Sequence, residues 1–385
     1  MASKTKKRIT KKQQQKRKLI IFGIEVLCLL LLLGVLYVWS IISKMEVDTD
    51  FDNSEAGINE DIAEETLETL EGYTNIALFG LDNRTQGKYD RGLSDVIMIA
   101  SINNKTKEVR LVSVYRDTYL SIGDGKFNKA NTAYAKGGAK QAVQMLNANL
   151  DLNIKEYACV DWAAVTEAVD ALGGVEIEIT AEEARQINTY IWEVDQMLGT
   201  KSAWVDGAGK KLLTGTQATT YARIRKTAGN DFKRTSRQRI VLEAMLNKAK
   251  QADMKTLLGI CDAVFDDIST SLTLTEIATL AKDVQKYTIG TTTGFPFEMQ
   301  GGQLADAGDA VVPIGLEDDV AKLHQYLFDV EDYVPSKTVK AISDAIVKKT
   351  GVSQGAPSVN VDGFNDTAGQ SGTVFKDPED TEKED

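Results

Sequence analysis

The first long pattern in the chain is an apolar run, Leu19–Ser43, interrupted only by Glu25. At about 1.5 Å per residue it reaches roughly 37 Å, enough to cross a bilayer core with some tilt. Farther on the hydrophobic positions recur with shorter periods. Asn75–Gly80, Asp95–Ile102 and Val109–Val114 read as strands, the last two separated by the turn Asn103-Asn104-Lys105. Gly137–Asn149 has helical spacing, Tyr157–Asp161 is strand-like, and Trp162–Leu172 is helical. Gly173-Gly174 turns the chain into Val175–Ile179, whose apolar residues alternate with Glu. Thr180–Leu198, Thr214–Arg223, Thr235–Lys250, Met254–Phe265 and Thr273–Lys286 read as further helices, with a loop at 199–211. Strands alternating with helices predict a layered α/β domain with a central sheet. Residues 290–315 are Gly-rich and read as irregular.

Charge adds a topology. The segment 1–18 carries nine basic side chains and no acid, so it reads as a cytoplasmic tail. With 19–43 as the anchor, everything beyond lies outside the cell. A cleaved secretory signal is the alternative, but the apolar run is too long and no small-x-small site follows it. Residues 44–72 are acidic and read as a stalk, and 350–385 as a disordered acidic tail. Between them lie a main domain over 73–254 and a mostly helical extension over 255–349. The whole-chain charge is −11, and without the basic tail and anchor it becomes about −20, which argues against nucleic acid as a partner. The lone His324 argues against a multi-histidine metal site or a His-based triad. Cys28, Cys159 and Cys261 form no disulfide framework, although one bridge between the last two stays open.

The candidate chemistry sits in recurrent pairs of Arg and Asp. GLDNR places Asp82 and Arg84 just past a strand, where open α/β sheets put ligands, and Asp95 opens the next one. Two carboxylates at neighbouring strand mouths can share one Mg²⁺ with phosphate oxygens. Turn and cap roles are the plain alternative for each. Arg116 follows a β-branched run with Asp117 placed to orient it, and Lys129 and Asn131 fall in a loop before Gly137-Gly138. Arg234, Arg237 and Gln238 share one helix face, with Asp231 able to clamp Arg234. Arg223 and Arg225 diverge on a regular helix but converge where one ends. Arg forks match phosphate oxygens, so the set suits a polyanion held with a divalent cation. A solvated basic face is the bland reading, and the acidic character of the rest of the ectodomain speaks against it.

Taken together, GLDNR, SDVIMIASINNKTKEVRLVSVYRDTYL, KANTAYAKGG, VDW (160–162), DALGGVEIEI (170–179), LLTGTQATTYARIR and DFKRTSRQ resemble the LytR–CpsA–Psr family. The likeness runs from about Asn75 to Leu246. It implies a three-layer α/β/α fold with a central mixed sheet and a hydrophobic tunnel for a polyprenyl chain. It also implies transfer of a glycopolymer, of teichoic acid or capsular type, from an undecaprenyl-pyrophosphate carrier to peptidoglycan. Asp82 and Asp95 then correspond to the metal-associated carboxylates. Arg84, Arg116, Lys129, Arg223, Arg225 and Gln238 correspond to pyrophosphate contacts, and Asp231, Arg234 and Arg237 to the remaining charged cluster. Two departures stand out. Leu93 occupies the place of a usual Arg, with Arg91 expected to reach in from the loop, and Tyr115 replaces a common Pro. A pyrophosphatase sharing this site, and a non-catalytic envelope regulator, are the competing readings.

Overall fold

The computed structural model describes residues 46–48, 51, 53–81, 89, 92–225 and 230–358. The expected anchor, most of the tail, and Asp82, Arg84 and Arg91 lie outside them. No helix among the described residues is long and apolar enough to cross a membrane.

The strands are β1 (Glu46–Val47), β2 (Tyr73–Leu81), β3 (Ser94–Asn103), β4 (Glu108–Val114), β5 (Tyr119–Ser121), β6 (Phe127–Lys129) and β7 (Glu156–Val160). They continue as β8 (Val175–Ile179), β9 (Gly209–Leu213), β10 (Ile268–Thr270), β11 (Thr288–Phe295), β12 (Met299–Leu304) and β13 (Gly308–Pro313). The helices are α1 (Glu64–Glu71), α2 (Asn131–Leu150), α3 (Trp162–Ala171), α4 (Ala181–Leu198) and α5 (Gly215–Arg223). Then follow α6 (Asn230–Ala249), α7 (Met254–Val264), α8 (Leu274–Lys282), α9 (Leu316–Phe328) and α10 (Lys337–Thr350).

Seven strands form one mixed sheet in the order β1-β10-β7-β2-β3-β4-β11. β2, β3 and β4 are an antiparallel meander, while β7 and β11 join it in parallel from either side. Its central strands are apolar on both faces because helices cover both. Phe79, Ile97, Ile99 and Val112 face a core shared with α2, α9 and α10. Ile76, Ala100, Val109 and Leu111 face the opposite way, toward Leu242 of α6 and Ile277 and Leu280 of α8. A third cluster, with Val169, Val175, Ile187, Leu213, Tyr221 and Val241, joins α3, α4, α5 and α6 to the β8–β9 hairpin.

Several expectations are corrected. The segment read as a stalk is docked: Ala56 and Leu70 are buried in the main core, Asn147 Nδ2 donates to Ala56 O (2.8 Å), and β1 pairs with β10. The segment read as a mostly helical extension supplies β10 and β11 to the central sheet and the β12–β13 hairpin, so 290–315 is largely strand. The loop at 199–211 gives up its end to β9. Lys129 ends β6 and Asn131 opens α2, so neither lies in an open loop. That helix is broken at Gly137–Gly138, where Gly138 takes φ 64°, a conformation that favours glycine. Cys159 and Cys261 are both free thiols.

One close approach fixes the helix that leads into the charged cluster. Gly215 begins α5, its N–H donates to Asp170 Oδ1 of α3 (2.7 Å), and a Cβ there would overlap the Thr166 carbonyl oxygen. Gly215→Ala is therefore expected to cost roughly 1–3 kcal/mol by overpacking, read as a lowered urea midpoint with unchanged slope.

Candidate active site

Asp95 lies at the start of β3 and is the hub of the site. Its side chain is only 9% exposed. Arg116 Nη1, from the segment after β4, donates to Oδ1 at 2.6 Å. Arg225 Nη2, just beyond α5, donates to Oδ2 at 2.9 Å. Arg234 Nη1, from α6, stands 3.6 Å from the same oxygen. The segment after β4 and the stretch from the end of α5 into α6 thus meet on one carboxylate. Burial works against its charge, but Arg116, Arg234 and Arg225 outweigh it and hold the carboxyl below its usual range.

A second tier of carboxylates fixes the arginines. Arg116 Nε lies 3.3 Å from both Asp117 Oδ2 and Asp231 Oδ2. Arg234 Nη2 donates to Asp231 Oδ2 at 3.0 Å, the i, i+3 clamp that the helix spacing leads one to expect. Lys129 Nζ reaches Asp117 Oδ1 at 3.4 Å. Arg234 is 2% exposed, and burial brings its guanidinium down to about 10, so it stays charged at neutral pH. Its Nε has no hydrogen-bond partner among the described residues. Leaving a buried N–H of a charged group unpaired is costly.

Two cavities share a wall residue here. One, of about 220 Å³, is lined by Asp95, Thr220, Arg223, Arg225, Arg234 and Tyr190, among others. Arg223 and Arg225 do converge, because α5 ends at Arg223 and Ile224 leaves the helical conformation. The other, of about 240 Å³, is apolar and runs between the sheet (Leu78, Val96, Met98), α3 (Val165, Ala168) and α6 (Leu242, Met245). Trp162 lines both, and the Arg223 guanidinium sits 5.2 Å from its ring centre.

Not every candidate joins the cluster. Arg237 is drawn elsewhere: its Nε donates to Glu183 Oε1 of α4 (2.8 Å) and its Nη1 to Ile224 O (3.2 Å). It braces the backbone that presents Arg225, so its place is beside the site rather than in it. Gln238 lies in the wall of the apolar cavity, with both amide atoms unpartnered among the described residues. Asn131 is buried at the start of α2, where its N–H donates to Arg116 O (3.0 Å) and holds that segment. Leu93, where the resemblance leads one to expect an Arg, is half-exposed beside the site. Tyr115, where the resemblance leads one to expect a Pro, has a packing role. Its ring packs edge-on against Phe232 of α6 at 4.5 Å and ties the Arg116 segment to the helix bearing Arg234. Trp162 and Glu183 were not singled out from sequence. The VDW block contained the first, but nothing local marked its contact with Arg223.

Asp95 also sets a pH dependence. Its folded-state pKa is depressed, so its contribution is complete above the ordinary Asp value, about 3.9, and is lost as pH falls through the lower folded value. Asp95→Asn leaves three guanidiniums facing one another and is expected to cost roughly 3 kcal/mol near neutral pH. Urea midpoints should show that deficit narrowing as the pH falls below about 4.

Comparisons with known proteins bear on this geometry. The LytR_cpsA_psr family matches residues 40–307. A polyisoprenyl-teichoic acid–peptidoglycan teichoic acid transferase, TagU, of Enterococcus faecalis is 30% identical over 270 residues, 69% of this chain and 82% of that protein. TagU of Halalkalibacterium halodurans is 33% identical over 203 residues, 52% of this chain and 61% of that one. Among solved structures, TagT bound to LI-WTA superposes with a TM-score of 0.54 at 20% identity, covering 68% of this chain and 93% of that one. A family protein, YwtF (TagT), with bound octaprenyl pyrophosphate lipid superposes at 0.51 and 20%, covering 68% and 92%. The family match begins before β1 and runs through β12, so it takes in the docked segment and the sheet-forming C-terminal strands that the motif blocks alone do not span. The chain belongs to the LytR_cpsA_psr family.

Proposed function

We propose that this protein is a phosphotransferase that moves a teichoic-acid-type glycopolymer from a polyprenyl-pyrophosphate carrier to peptidoglycan. The observation that carries the reading is that two unlike cavities have Trp162 in the wall of each. One is walled by Arg223, Arg225 and Arg234, and the other is apolar. A prenyl diphosphate has the same two halves, a polyanion joined to a hydrocarbon. Relatives named for this transfer support it, as does the shared fold of a family protein with bound octaprenyl pyrophosphate. In this reading Arg116, Arg225 and Arg234 contact the diphosphate, with Arg223 and Lys129 at its edge and Arg84 and Arg91 approaching from the loop outside the described residues. Gln238 meets the first polar atoms above the prenyl tail.

The chemistry follows from these groups. An acceptor hydroxyl oxygen attacks the glycan-side phosphorus and gives up its proton to water, the bridging P–O bond breaks, and polyprenyl phosphate leaves with the electron pair. Charge spreads over the phosphoryl and leaving oxygens, and fixed guanidiniums lower its energy without a covalent intermediate. Each Asp95 oxygen already accepts from an arginine but keeps a second lone pair. That donor set suits a cation arriving with the diphosphate better than one bound alone. Asp95 together with Asp82 would hold Mg²⁺, which would neutralise phosphate charge when bound. The apolar span Leu19–Ser43 would anchor the chain in the cell membrane with the domain outside, where both substrates meet. Hydrolysis of the same donor is the second reading, and the two differ in what is allowed to attack.

The test uses the full chain in detergent with a synthetic polyprenyl-pyrophosphate glycan, Mg²⁺ and peptidoglycan fragments, read by mass spectrometry. Glycan joined to the fragments, and lost on chelation, supports transfer. Polyprenyl phosphate released without joining supports hydrolysis, and intact donor counts against both. Arg225→Ala or Arg116→Ala should lower turnover at least about tenfold, because each removes a charge-assisted phosphate contact. Unchanged turnover removes that residue from the site.

A further inference from the structure

A hydroxyl that attacks phosphorus must lose its proton, and the carboxylates of the charged cluster are already engaged. Asp95 accepts from Arg116 and Arg225, while Asp117 and Asp231 hold the outer edges of Arg116, Arg234 and Lys129. A carboxylate facing guanidiniums is a weak base, and Asp95 stays below its usual range despite its burial. Glu193 differs from these three. Among the described residues it is the one carboxylate besides Asp95 in the wall of the charged cavity. Its side chain has neither an ion pair nor a hydrogen bond among the described residues. Helix α4 fixes its place. The capping box of Thr180 and Glu183 starts that helix, and Ala184, Ile187 and Ile191 bury one stripe of it in the core. Asn188 then exchanges two hydrogen bonds with the Val205 backbone (2.9 and 2.7 Å), which holds the following segment against the helix. Tyr190, Glu193 and Val194 stand at i, i+3 and i+4, so they share a face, and all three line the cavity. A cavity of about 150 Å³ takes a benzene ring. One of about 220 Å³ admits little more than a single ring or a diphosphate, so a carboxylate in its wall is within reach of the occupant.

We propose that Glu193 is the general base of the transfer and takes the proton of the acceptor hydroxyl. The proposal rests on the transferase reading and adds the group that activates its nucleophile. As the hydroxyl oxygen bonds to the glycan-side phosphorus, its O–H bond breaks and the proton passes to a Glu193 carboxylate oxygen. The bridging P–O bond breaks in the same step, and its electron pair leaves with polyprenyl phosphate. Glu193 is exposed, so the neutral acid returns its proton to water before the next turnover. The cavity thereby divides its labour. Arg225 and Arg234 meet the phosphate charge, and the carboxylate that no guanidinium holds meets the incoming hydroxyl. A carboxylate repels a diphosphate, which speaks against Glu193 as a donor contact and for a place on the acceptor side. Asp82 does not compete for the role, since in the transferase reading it serves Mg²⁺.

The test is the transfer assay with the full chain, run on the wild type and on Glu193→Gln. Gln keeps the size and reach of the side chain but cannot take a proton. Because Glu193 is exposed, the variant keeps its fold, which an unchanged urea midpoint checks. We expect turnover to fall at least about a hundredfold, the lower end of what a general base contributes. Affinity for farnesyl diphosphate, titrated alongside, should stay the same. A smaller fall in turnover overturns the proposal. So does a fall matched by an equal loss of diphosphate affinity, which would make Glu193 part of the binding surface. The two readings fail separately. Glycan joined equally by wild type and variant removes Glu193 as the base and leaves the transferase standing, whereas no joining by the wild type removes both.

Discussion

The site hangs on one buried carboxylate. Asp95 gathers Arg116 from the segment after β4 and Arg225 and Arg234 from the stretch from the end of α5 into α6, and without it their charges would repel one another. Such a cluster is expensive to bury and is a poor way to add stability. Its worth lies in leaving guanidinium faces fixed and partly unsatisfied, as the unpartnered Arg234 Nε shows. Asp117 and Asp231 hold the outer edges of the same arginines, so little reorganisation is needed when a polyanion arrives.

Packing delivers these groups to one place. β3 brings Asp95, and the end of β4 brings Arg116, tied to α6 through the Tyr115–Phe232 contact. Arg237 and Glu183 fix the break after α5 from which Arg225 projects. The apolar cavity is lined by small side chains on β7 and α3, Ala158, Ala164 and Ala168, which leave space between helix and sheet unfilled. Charged and apolar spaces therefore share a wall because they share the same elements.

Much of this was legible in the sequence. The near-continuous apolar runs of β2, β3 and β4, and the alternation in β8, named their strands because burial on two faces or one leaves those patterns. The i, i+3 spacing of Asp231 and Arg234 gave their clamp. What stayed hidden depended on distant partners. β11 (TIGTTTGF), β12 and β9 are too rich in Gly, Thr and Lys to read as strands alone, and they form because β4, β13 and β8 offer a ladder. The docking of the acidic segment before β2 was masked by its charge, since a few buried side chains such as Ala56 and Leu70 decide it. Arg237 shares a face with Arg234, yet only tertiary packing sets Glu183 against it.

The central claim is that one ligand fills both cavities at once. The most direct measurement is calorimetric titration of the full chain with farnesyl diphosphate, farnesyl monophosphate and inorganic pyrophosphate. The account predicts that the diphosphate lipid binds more tightly than either the monophosphate lipid or the bare headgroup, and that Arg225→Ala removes most of its advantage. Equal affinity for all three, or an advantage that survives Arg225→Ala, would contradict it.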